Sequence, residues 1–372
     1  MKIRVERDSL ADAVAWSART LPNRPSLPVL AGLVINASDS HVALSGFDYE
    51  VSTRASIEAD VETEGSVLVS GRLLADIARS LPAQPVVMAA EGSRVVITCG
   101  RSNFTLPTLP LDDYPSLPEM PQSSGTIDAS LFAHAVGQVA IASGRDDTLP
   151  TLTGVRVEVD GSTIVMAATD RYRLAVRECE WSPRDSKEHA ELLVPAKTML
   201  DTAKSLALAD DVTIALAPEG ERLMGFEGAD RRTTTRLLDG EFPKYRSLLP
   251  SESSTHARVD TASLIEAVKR VALVAERNTP LRLTFSGAEV ALRAGNGEDA
   301  QAEEVVEASI DGDDIEIAFN PVYLQDGLTS IDAGTAQFAF TQATRPAVIT
   351  GMVDGTSVED YRYLLMPVRL TG

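Results

Sequence analysis

The chain repeats one arrangement of elements three times, and this repetition constrains its fold more than any other feature. Three amphipathic segments are each typical of the first helix of a repeat: Leu10–Leu21, Leu131–Ser143 and Leu264–Glu276. A second helix is predicted about 60 residues later each time, at Gly71–Leu81, Ala196–Leu206 and Pro321–Ile331. These second helices begin 125 residues apart in both steps, close to one third of the 372 residues. We therefore expect three similar domains, over residues 1–124, 125–250 and 251–372.

Between the helices, apolar and polar residues alternate with the period of a strand, as in Val155–Val159 and Phe338–Thr341. Six to eight strands are expected in each third, and short turns join most of them. The fold class is therefore α+β, with two helices packed on antiparallel sheets in each domain. Proline-rich segments, Leu106–Gln122 and Phe242–Ser254, precede the second and third repeats. The first helices are expected to be capped by aspartates: Asp8, Asp128 and Asp260.

The charge is strongly negative overall but unevenly distributed. The net charge of −20 excludes a surface that binds nucleic acid everywhere, although a locally basic surface remains possible. Counted with their flanking residues, the six helical segments together carry +4, so the rest of the chain carries −24; the ranges counted are 10–24, 70–82, 131–145, 194–207, 264–277 and 319–331. Bases recur seven residues apart in three helices, on one face each: Arg72 and Arg79, Lys197 and Lys204, Arg270 and Arg277. This pattern is also typical of solvated helix faces, but the shared sign favours a helix-lined surface that faces phosphates.

Enzyme signatures are absent from the sequence. The four histidines form no metal-binding or catalytic pattern, and Cys99 and Cys179 match no metal spacing. No catalytic residue, metal or cofactor is therefore predicted. No apolar stretch is long enough for a membrane span, and the first residues lack a signal-peptide core, so a cytoplasmic protein is expected. Several acidic pairs leave one distant alternative, a metal-dependent α+β enzyme.

Three motifs carry a resemblance to a known family: Thr169–Ala175 (TDRYRLA), Phe242–Arg246 (FPKYR) and Tyr363–Leu370 (YLLMPVRL). With the triplication, they make the chain similar, from Met1 to Gly372, to the bacterial DNA polymerase III beta subunit, the sliding clamp family, in an actinobacterial-looking form. The resemblance implies a head-to-tail homodimeric ring that encircles duplex DNA without sequence preference. It implies a non-catalytic processivity factor of the DNA polymerase III holoenzyme, a nucleoid-associated location and a target for antibiotics.

The resemblance also implies a peptide pocket between the second and third domains. Its partners are the DNA polymerase III alpha subunit, the clamp loader delta subunit and other clamp-motif replication and repair proteins, which insert a short motif with Leu and Phe anchors. The pocket residues implied are Leu152, Thr169, Arg171, Tyr172, Arg173, Leu174, Pro243, Leu248, Pro346, Met366, Pro367, Val368 and Arg369. Arg173 and Arg369 are expected to hold peptide carbonyls or acidic flanks. Arg171-Tyr172 replaces the Gly-His of many relatives, and Ser247 replaces a common Arg.

Two further surfaces follow from the resemblance. The DNA-facing bases, chosen by position, are Arg24, Arg72, Arg145, Lys197 and Lys204. The dimer interface brings Phe104 and Leu106 of one chain to Leu273 and Val274 of the other, because the alternating segment around Phe104 would otherwise be an open strand edge. The same features fit one alternative, a second clamp copy that tolerates a clamp-directed antibiotic.

Overall fold

A computed structural model describes residues 1–218, 220–275, 279–295 and 300–369. Three sequence-based expectations fall partly outside these residues. They concern three residues: Glu276 at the end of the predicted helix Leu264–Glu276, the base Arg277, and Leu370 of the terminal motif. None of the helices in the described ranges has both the length and the apolar character that crossing a membrane requires.

The first repeat contains nine strands and two helices. In chain order they are β1 (Lys2–Val5), α1 (Arg7–Ser17), β2 (Gly32–Ser38), β3 (His41–Phe47), β4 (Val51–Glu58), β5 (Asp60–Thr63), β6 (Gly65–Ser70), α2 (Gly71–Ser80), β7 (Val86–Glu91), β8 (Arg94–Cys99) and β9 (Ser102–Leu109).

The second repeat has the same order of elements. They are β10 (Ser123–Asp128), α3 (Ala129–Ala140), β11 (Gly154–Asp160), β12 (Thr163–Thr169), β13 (Arg173–Glu180), β14 (Ser182–Pro183), β15 (His189–Pro195), α4 (Ala196–Leu206), β16 (Asp211–Leu216), β17 (Leu223–Gly228) and β18 (Arg231–Arg236).

The third repeat follows the same order, and within its described residues it has one short strand fewer. Its elements are β19 (Thr255–Asp260), α5 (Thr261–Val271), β20 (Leu281–Ser286), β21 (Glu289–Ala294), β22 (Ala302–Asp311), β23 (Ile315–Phe319), α6 (Pro321–Thr329), β24 (Thr335–Phe340), β25 (Ala347–Val353) and β26 (Thr356–Leu365). The predicted helices are therefore found in all three repeats. Each repeat has at least as many strands as the six to eight expected, since short strands such as β5 and β14 carry little sequence signal.

The chain divides into two compact units that do not coincide with the three repeats. The first comprises Met1–Phe132, Ser182–Asp185 and Asp201–Leu237, and the second comprises Ala133–Trp181, Ser186–Leu200 and the chain from Leu238 onward. Each unit holds one large antiparallel sheet. The order in the first is β14-β10-β16-β17-β18-β4-β3-β2-β6-β9-β8-β7-β1-β5. The order in the second is β15-β11-β12-β13-β26-β25-β24-β19-β22-β21-β20-β23.

Edge strands of successive repeats explain this division. In the first unit, Val51–Ala55 of β4 pairs with Arg231–Thr235 of β18. In the second unit, Arg173–Arg177 of β13 pairs with Tyr361–Leu365 of β26. Each sheet therefore continues from one repeat into the next, and the backbone hydrogen bonds of these edges are satisfied within the chain.

The predicted amphipathic stripes form the core. In the first unit, Leu10 and Val14 of α1 and Leu74 of α2 are fully buried in one apolar cluster with strand residues. In the second unit, the rings of Phe285, Phe338 and Phe340 pack with centroids 5.1–5.8 Å apart. These contacts place the helices on the sheets, as the alternating and helical periods together predict.

Two of the three predicted caps are present. Asp128 accepts a hydrogen bond from the backbone N–H of Leu131 at 2.8 Å, and Asp260 accepts one from Ser263 at 2.8 Å. The prediction for Asp8 is wrong, because α1 begins at Arg7 and Asp8 lies inside its first turn. There its carboxylate pairs with the Arg7 guanidinium at 2.7 Å.

Candidate functional site

The turn between β12 and β13 is built by the Thr-Asp pair of the TDRYRLA motif. The Asp170 carboxylate accepts hydrogen bonds from the backbone N–H groups of Tyr172 and Arg173, both at 3.0 Å. The Thr169 hydroxyl accepts one from the Arg171 N–H at 3.2 Å and donates to the Arg173 carbonyl at 2.6 Å. Side chains that replace backbone partners in this way are the ordinary means of closing a tight turn. The turn leaves Arg171 and Tyr172 exposed.

The same turn occurs one repeat earlier, between β3 and β4. The Asp48 carboxylate accepts from the N–H groups of Glu50 at 2.9 Å and Val51 at 2.7 Å. The residue after each aspartate has a left-handed backbone, with φ of 78° at Tyr49 and 79° at Arg171. The aspartate of the motif is therefore a requirement of the repeat, whereas the buried Thr169, which replaces Phe47, and the exposed side chains distinguish the second turn from the first.

Arg173 is an internal anchor of the site. Its guanidinium donates to Asp170 at 3.0 Å and to Asp326 at 2.5 Å, and it lies 4.3 Å from the centre of the Tyr323 ring. Burial alone would lower the pKa of Arg173, but Tyr363, Asp326 and Asp170 outweigh this effect and hold its pKa above the ordinary value. Arg173 is only 4% exposed. The Nε and Nη1 donors of Arg173 are engaged within the chain, which gives this residue a positioning role, and its contact with a peptide stays a prediction.

A cavity of about 460 Å³ lies beside this turn. Four of the thirteen predicted pocket residues line it: Leu152, Arg171, Tyr172 and Arg173. Arg145, which was expected to face DNA, lines the same cavity. The rings of Tyr172 and Tyr323 stack over one wall with centroids 6.3 Å apart. The cavity thus combines aromatic and aliphatic surface with charged groups, as ligand sites commonly do.

The terminal MPVR segment continues from β26 and is held by backbone hydrogen bonds. The Met366 N–H donates to the Tyr172 carbonyl at 2.9 Å, and the Val368 N–H donates to the Ala318 carbonyl at 2.8 Å. Met366 and Val368 remain 39% and 38% exposed, Arg369 is exposed and Pro367 is half-buried. These four residues do not line the 460 Å³ cavity, although Met366 bonds to a residue that does.

The remaining predicted pocket residues lie on neighbouring elements of the same unit. Pro243 and Leu248 are exposed, and Pro346 is half-buried just before β25. Thr169 is buried in the turn, and Leu174 is buried in a small cluster with Tyr245 and Leu364. None of these five residues lines the cavity. Thr169 and Leu174 are buried and pack against the residues that surround them.

The segment around Pro243 and Leu248 is fastened to β11 by Glu158. The buried Tyr245 donates its hydroxyl to Glu158 at 3.0 Å, and Arg246 pairs with the same carboxylate at 2.5 Å. Burial alone would raise the pKa of Glu158, but the hydrogen bonds from Arg246 and Tyr245 outweigh it, so the pKa lies below its ordinary value. Ser247, where the resemblance led us to expect an Arg, is exposed, and its hydroxyl donates to the Lys244 carbonyl at 2.7 Å.

Three cavity residues from α6 were not anticipated: Val322, Tyr323 and Asp326. The sequence analysis treated this helix only as one of six similar helices. Asn320 caps it by accepting from the N–H groups of Val322 at 2.9 Å and Tyr323 at 3.2 Å, and this turn brings both side chains to the cavity. An Asn-Pro start followed by two apolar residues was the available signal, but the same pattern is compatible with an ordinary amphipathic helix.

The other predicted bases are exposed on their own elements. Arg24 and Arg72 lie in the first unit, where Arg72 donates to the Asn23 side chain. Lys197 and Lys204 are exposed on α4. Their accessibility is what a phosphate-facing role requires, and it is equally what a solvated helix face shows.

The predicted interface residues differ in accessibility. Leu273 is 83% exposed and Val274 is half-buried. Phe104 is half-buried on β9, whereas Leu106 is 1% exposed and belongs to the core of the first unit. Leu106 therefore supports the strand from within, and Phe104 and Leu273 are the accessible members of the set.

In the described part of the chain, no group of three or more His, Cys, Asp or Glu side chains is arranged to hold a metal ion.

The chain contains three tandem α+β repeats, and an amphipathic cavity lies beside the β12–β13 turn and α6. These features define a class of modular proteins that are built by repetition of one domain. Family models of the DNA polymerase III beta subunit match the chain along its length, the N-terminal domain at residues 1–118, the central domain at 126–244 and the C-terminal domain at 246–369. The chain therefore belongs to the DNA polymerase III beta subunit family, the bacterial beta sliding clamps.

Individual relatives agree with this assignment. The chain is 58% identical to a beta sliding clamp of Streptomyces coelicolor, with all of both chains covered. It is 47% identical to a beta sliding clamp homolog, GriR, of Streptomyces muensis, with 99% of each covered. A crystal structure of a Pseudomonas aeruginosa sliding clamp bound to griselimycin shares the fold over all of both chains, with a TM-score of 0.93 and 29% identity. The Streptomyces relatives match the actinobacterial character of the motifs.

Proposed function

We propose that this sliding clamp works as a head-to-tail homodimeric ring that encircles duplex DNA and tethers replication proteins. The observation that carries the proposal is the state of two strand edges. Among the described residues, the segment Ser102–Pro107 of β9 pairs only with β8, and Ala302–Glu307 of β22 pairs only with β21. β9 is the counterpart in the first repeat of β18 and β26, and β22 is the counterpart in the third repeat of β4 and β13.

The two edges are the counterparts of the edges already joined within the chain. The β4–β18 and β13–β26 pairs link the first repeat to the second and the second to the third. The third such link requires β9 of one copy and β22 of another. A symmetric pair of chains closes both remaining edges at once, which is how a ring removes exposed strand edges.

The domain boundaries 1–124, 125–250 and 251–372 belong to this proposal. They are supported by the matched ranges 1–118 and 126–244, which fall within the first two domains, and by the range 246–369, which begins five residues before the proposed third domain. They are also supported by the order of elements, which restarts at β10 and at β19.

Encircled DNA needs only weak contacts. The candidates Arg24, Arg72, Lys197 and Lys204 are exposed and contact phosphates rather than bases, so that the protein slides without sequence preference. The net charge of −20 of the whole chain opposes adhesion of DNA to its other surfaces. The protein acts in the cytoplasm on the nucleoid, as a non-catalytic subunit of the DNA polymerase III holoenzyme.

The tethering site is a groove, by which we mean the 460 Å³ cavity together with the neighbouring Met366 and Val368 of the terminal segment. It accepts short Leu- and Phe-bearing motifs of the polymerase alpha subunit, the clamp loader delta subunit and other replication and repair proteins. Each buried anchor contributes about 1.5–3 kcal/mol, so two or three suffice for micromolar binding, near −8 kcal/mol. The exposed Tyr172, Met366 and Val368 provide the apolar contact surface.

The alternative of an additional, antibiotic-tolerant clamp copy receives less support. The chain is 58% identical to the Streptomyces coelicolor clamp and 47% identical to the GriR homolog, so the ordinary clamp is the closer match of these two.

The deciding experiment loads the protein onto nicked circular plasmid with a clamp loader and then linearises the DNA. Retention on circles and loss from linear DNA of equal length is the expected result. Equal loss from both would contradict encirclement. A second experiment deletes residues 366–372, which removes the Met366 and Val368 hydrogen bonds. We expect loss of binding to a peptide from the polymerase alpha subunit with the dimer retained, and unchanged binding would contradict the groove.

A further inference from the structure

The cavity beside the β12–β13 turn is lined by equal numbers of positive and negative side chains, but they are unequally paired. Three arginines and three aspartates line it, and Arg173 already contacts two of the carboxylates, Asp170 at 3.0 Å and Asp326 at 2.5 Å. The third carboxylate, Asp146, accepts from the Thr148 N–H at 3.0 Å and from its hydroxyl at 2.7 Å, and it therefore closes a local turn. All three carboxylates have hydrogen-bond donors within the chain.

The other two guanidinium groups of this cavity form no ion pair among the described residues. Arg145 and Arg171 are both exposed, and no carboxylate of the described residues lies within 4.0 Å of either. The charge of Arg171 reaches Asp146 only at longer range, as a minor contribution after the Thr148 hydrogen bonds to the lowered pKa of that carboxyl. The cavity wall thus presents two available cations on a chain whose net charge is −20.

Apolar surface lies next to these cations. Tyr172 is 56% exposed and stacks on Tyr323, and Val322 is 60% exposed. A ligand that uses both features carries an apolar side chain and, beside it, an anion. A guanidinium in a partly enclosed site binds a carboxylate better than an ammonium does, because its planar fork matches the two oxygens.

We infer that Arg171, with Arg145 in the same wall, makes this cavity selective for acidic peptides. The peptide places a Leu or Phe against Tyr172 and Val322 and an Asp or Glu carboxylate on the Arg171 guanidinium. This rests on the proposed peptide-binding function, and it names the partner chemistry of that site. Arg171 is a specificity-determining residue, whereas Arg173 beneath it positions the turn.

The test measures the affinity of the dimer for three fluorescent peptides that share Leu and Phe anchors and differ at the residue beside them, Asp, Asn or Lys. We expect the wild-type protein to bind the Asp peptide about fivefold more tightly than the Asn peptide. The preference should weaken as ionic strength rises from about 0.05 M to about 0.5 M. Arg171→Glu should reverse the order in favour of the Lys peptide, and Arg171→Gly should abolish the preference.

Arg258→Glu is the matched control, because Arg258 is an exposed arginine of the same unit that does not line the cavity. It changes the net charge by the same amount and should retain the Asp preference. Melting temperatures of all variants establish that they fold. Equal affinity of wild-type protein for the three peptides would overturn the inference and leave the groove intact. Failure of all three peptides to bind would overturn the inference together with the peptide-binding function.

Discussion

At the scale of single residues, Arg171 is in a backbone conformation that favours glycine. Its φ of 79° lies in the left-handed region, where a side chain costs about 1–2 kcal/mol. The Asp170 and Thr169 hydrogen bonds define the turn and outweigh this strain, and Arg171 places a guanidinium in the cavity wall.

Replacing Arg171 with Gly should therefore stabilise the protein while removing that charge. We expect Arg171→Gly to raise the melting temperature by about 2 °C, measured by calorimetry. Arg171→Ala is the control, because it removes the guanidinium but keeps the strained backbone. An equal gain in both variants would show that the side chain, and not its φ, is the source of the cost.

Replacing Arg173, in contrast to Arg171, should destabilise the protein. Arg173→Met leaves the carboxylates of Asp170 and Asp326 together without their cation, and removing one partner of a buried ion pair costs about 3–5 kcal/mol. The comparison is Arg177→Met on the same strand, whose partner Asp360 is 45% exposed, and the expected loss there is about 1 kcal/mol or less. Denaturant unfolding of both variants measures the difference. Similar losses would mean that Arg173 is no more than a surface ion-pair residue.

The cavity residues show how far sequence reasoning reaches at this scale. Arg171 and Tyr172 were named because they lie within the TDRYRLA motif that carries the family resemblance, and both line the cavity. Tyr323 and Asp326 were not named, because they lie about 150 residues away from that motif along the chain. Only packing brings α6 to the β12–β13 turn, and the amphipathic pattern of a helix does not say which neighbour it meets.

At the scale of elements, a single carboxylate organises an irregular segment. The segment with Pro243 and Leu248 has little regular structure, and Glu158 on β11 holds it through Tyr245 and Arg246. The Glu158 side chain is only 14% exposed and Tyr245 only 4%, so the hydrogen bond between them is shielded from water, whereas the Arg246 side chain is 64% exposed. The position of one side of the proposed groove thus depends on a residue outside it.

This arrangement predicts a pH-dependent stability. The pKa of Glu158 is lower in the folded protein than its ordinary value, so the folded state favours the ionised form. Its stabilisation is present above the unfolded pKa, about 4.3, and is lost as pH falls through the lower folded value. We expect Glu158→Gln to cost about 1.5 kcal/mol at pH 7 and progressively less below about pH 4. Melting curves from pH 3 to 8 measure this. A pH-independent difference would exclude ionisation as the cause.

At the scale of the whole molecule, the proposed assembly depends on strand edges and a few exposed apolar residues. Leu273 is 83% exposed, and Phe104 lies on the segment of β9 that pairs with β8 alone among the described residues. Leu106, two residues along, is buried in the core. Substitutions at these positions should therefore separate assembly from folding.

Leu273→Asp and Phe104→Asp should convert the dimer to monomer, and Leu273→Asp should leave the melting temperature of the monomer unchanged. Leu208→Asp is the matched control, because Leu208 is 99% exposed and lies outside the predicted interface. Leu106→Asp should unfold the first unit by burying an unpaired carboxylate. Sedimentation velocity distinguishes these results. A Leu273→Asp protein that remains dimeric would contradict the proposed interface.

The sequence alone determined the three repeats, the six helices and the motif residues of the turn, because these depend on periodicity and local hydrogen bonding within a few residues. Tertiary structure alone decided that β4 joins β18 and β13 joins β26, that Leu106 belongs to the core, and that Arg173 is occupied by Asp326. It also assigned Tyr323 to the cavity. These features join residues far apart along the chain, and which of several compatible edges and faces meet is settled by packing rather than by any local pattern.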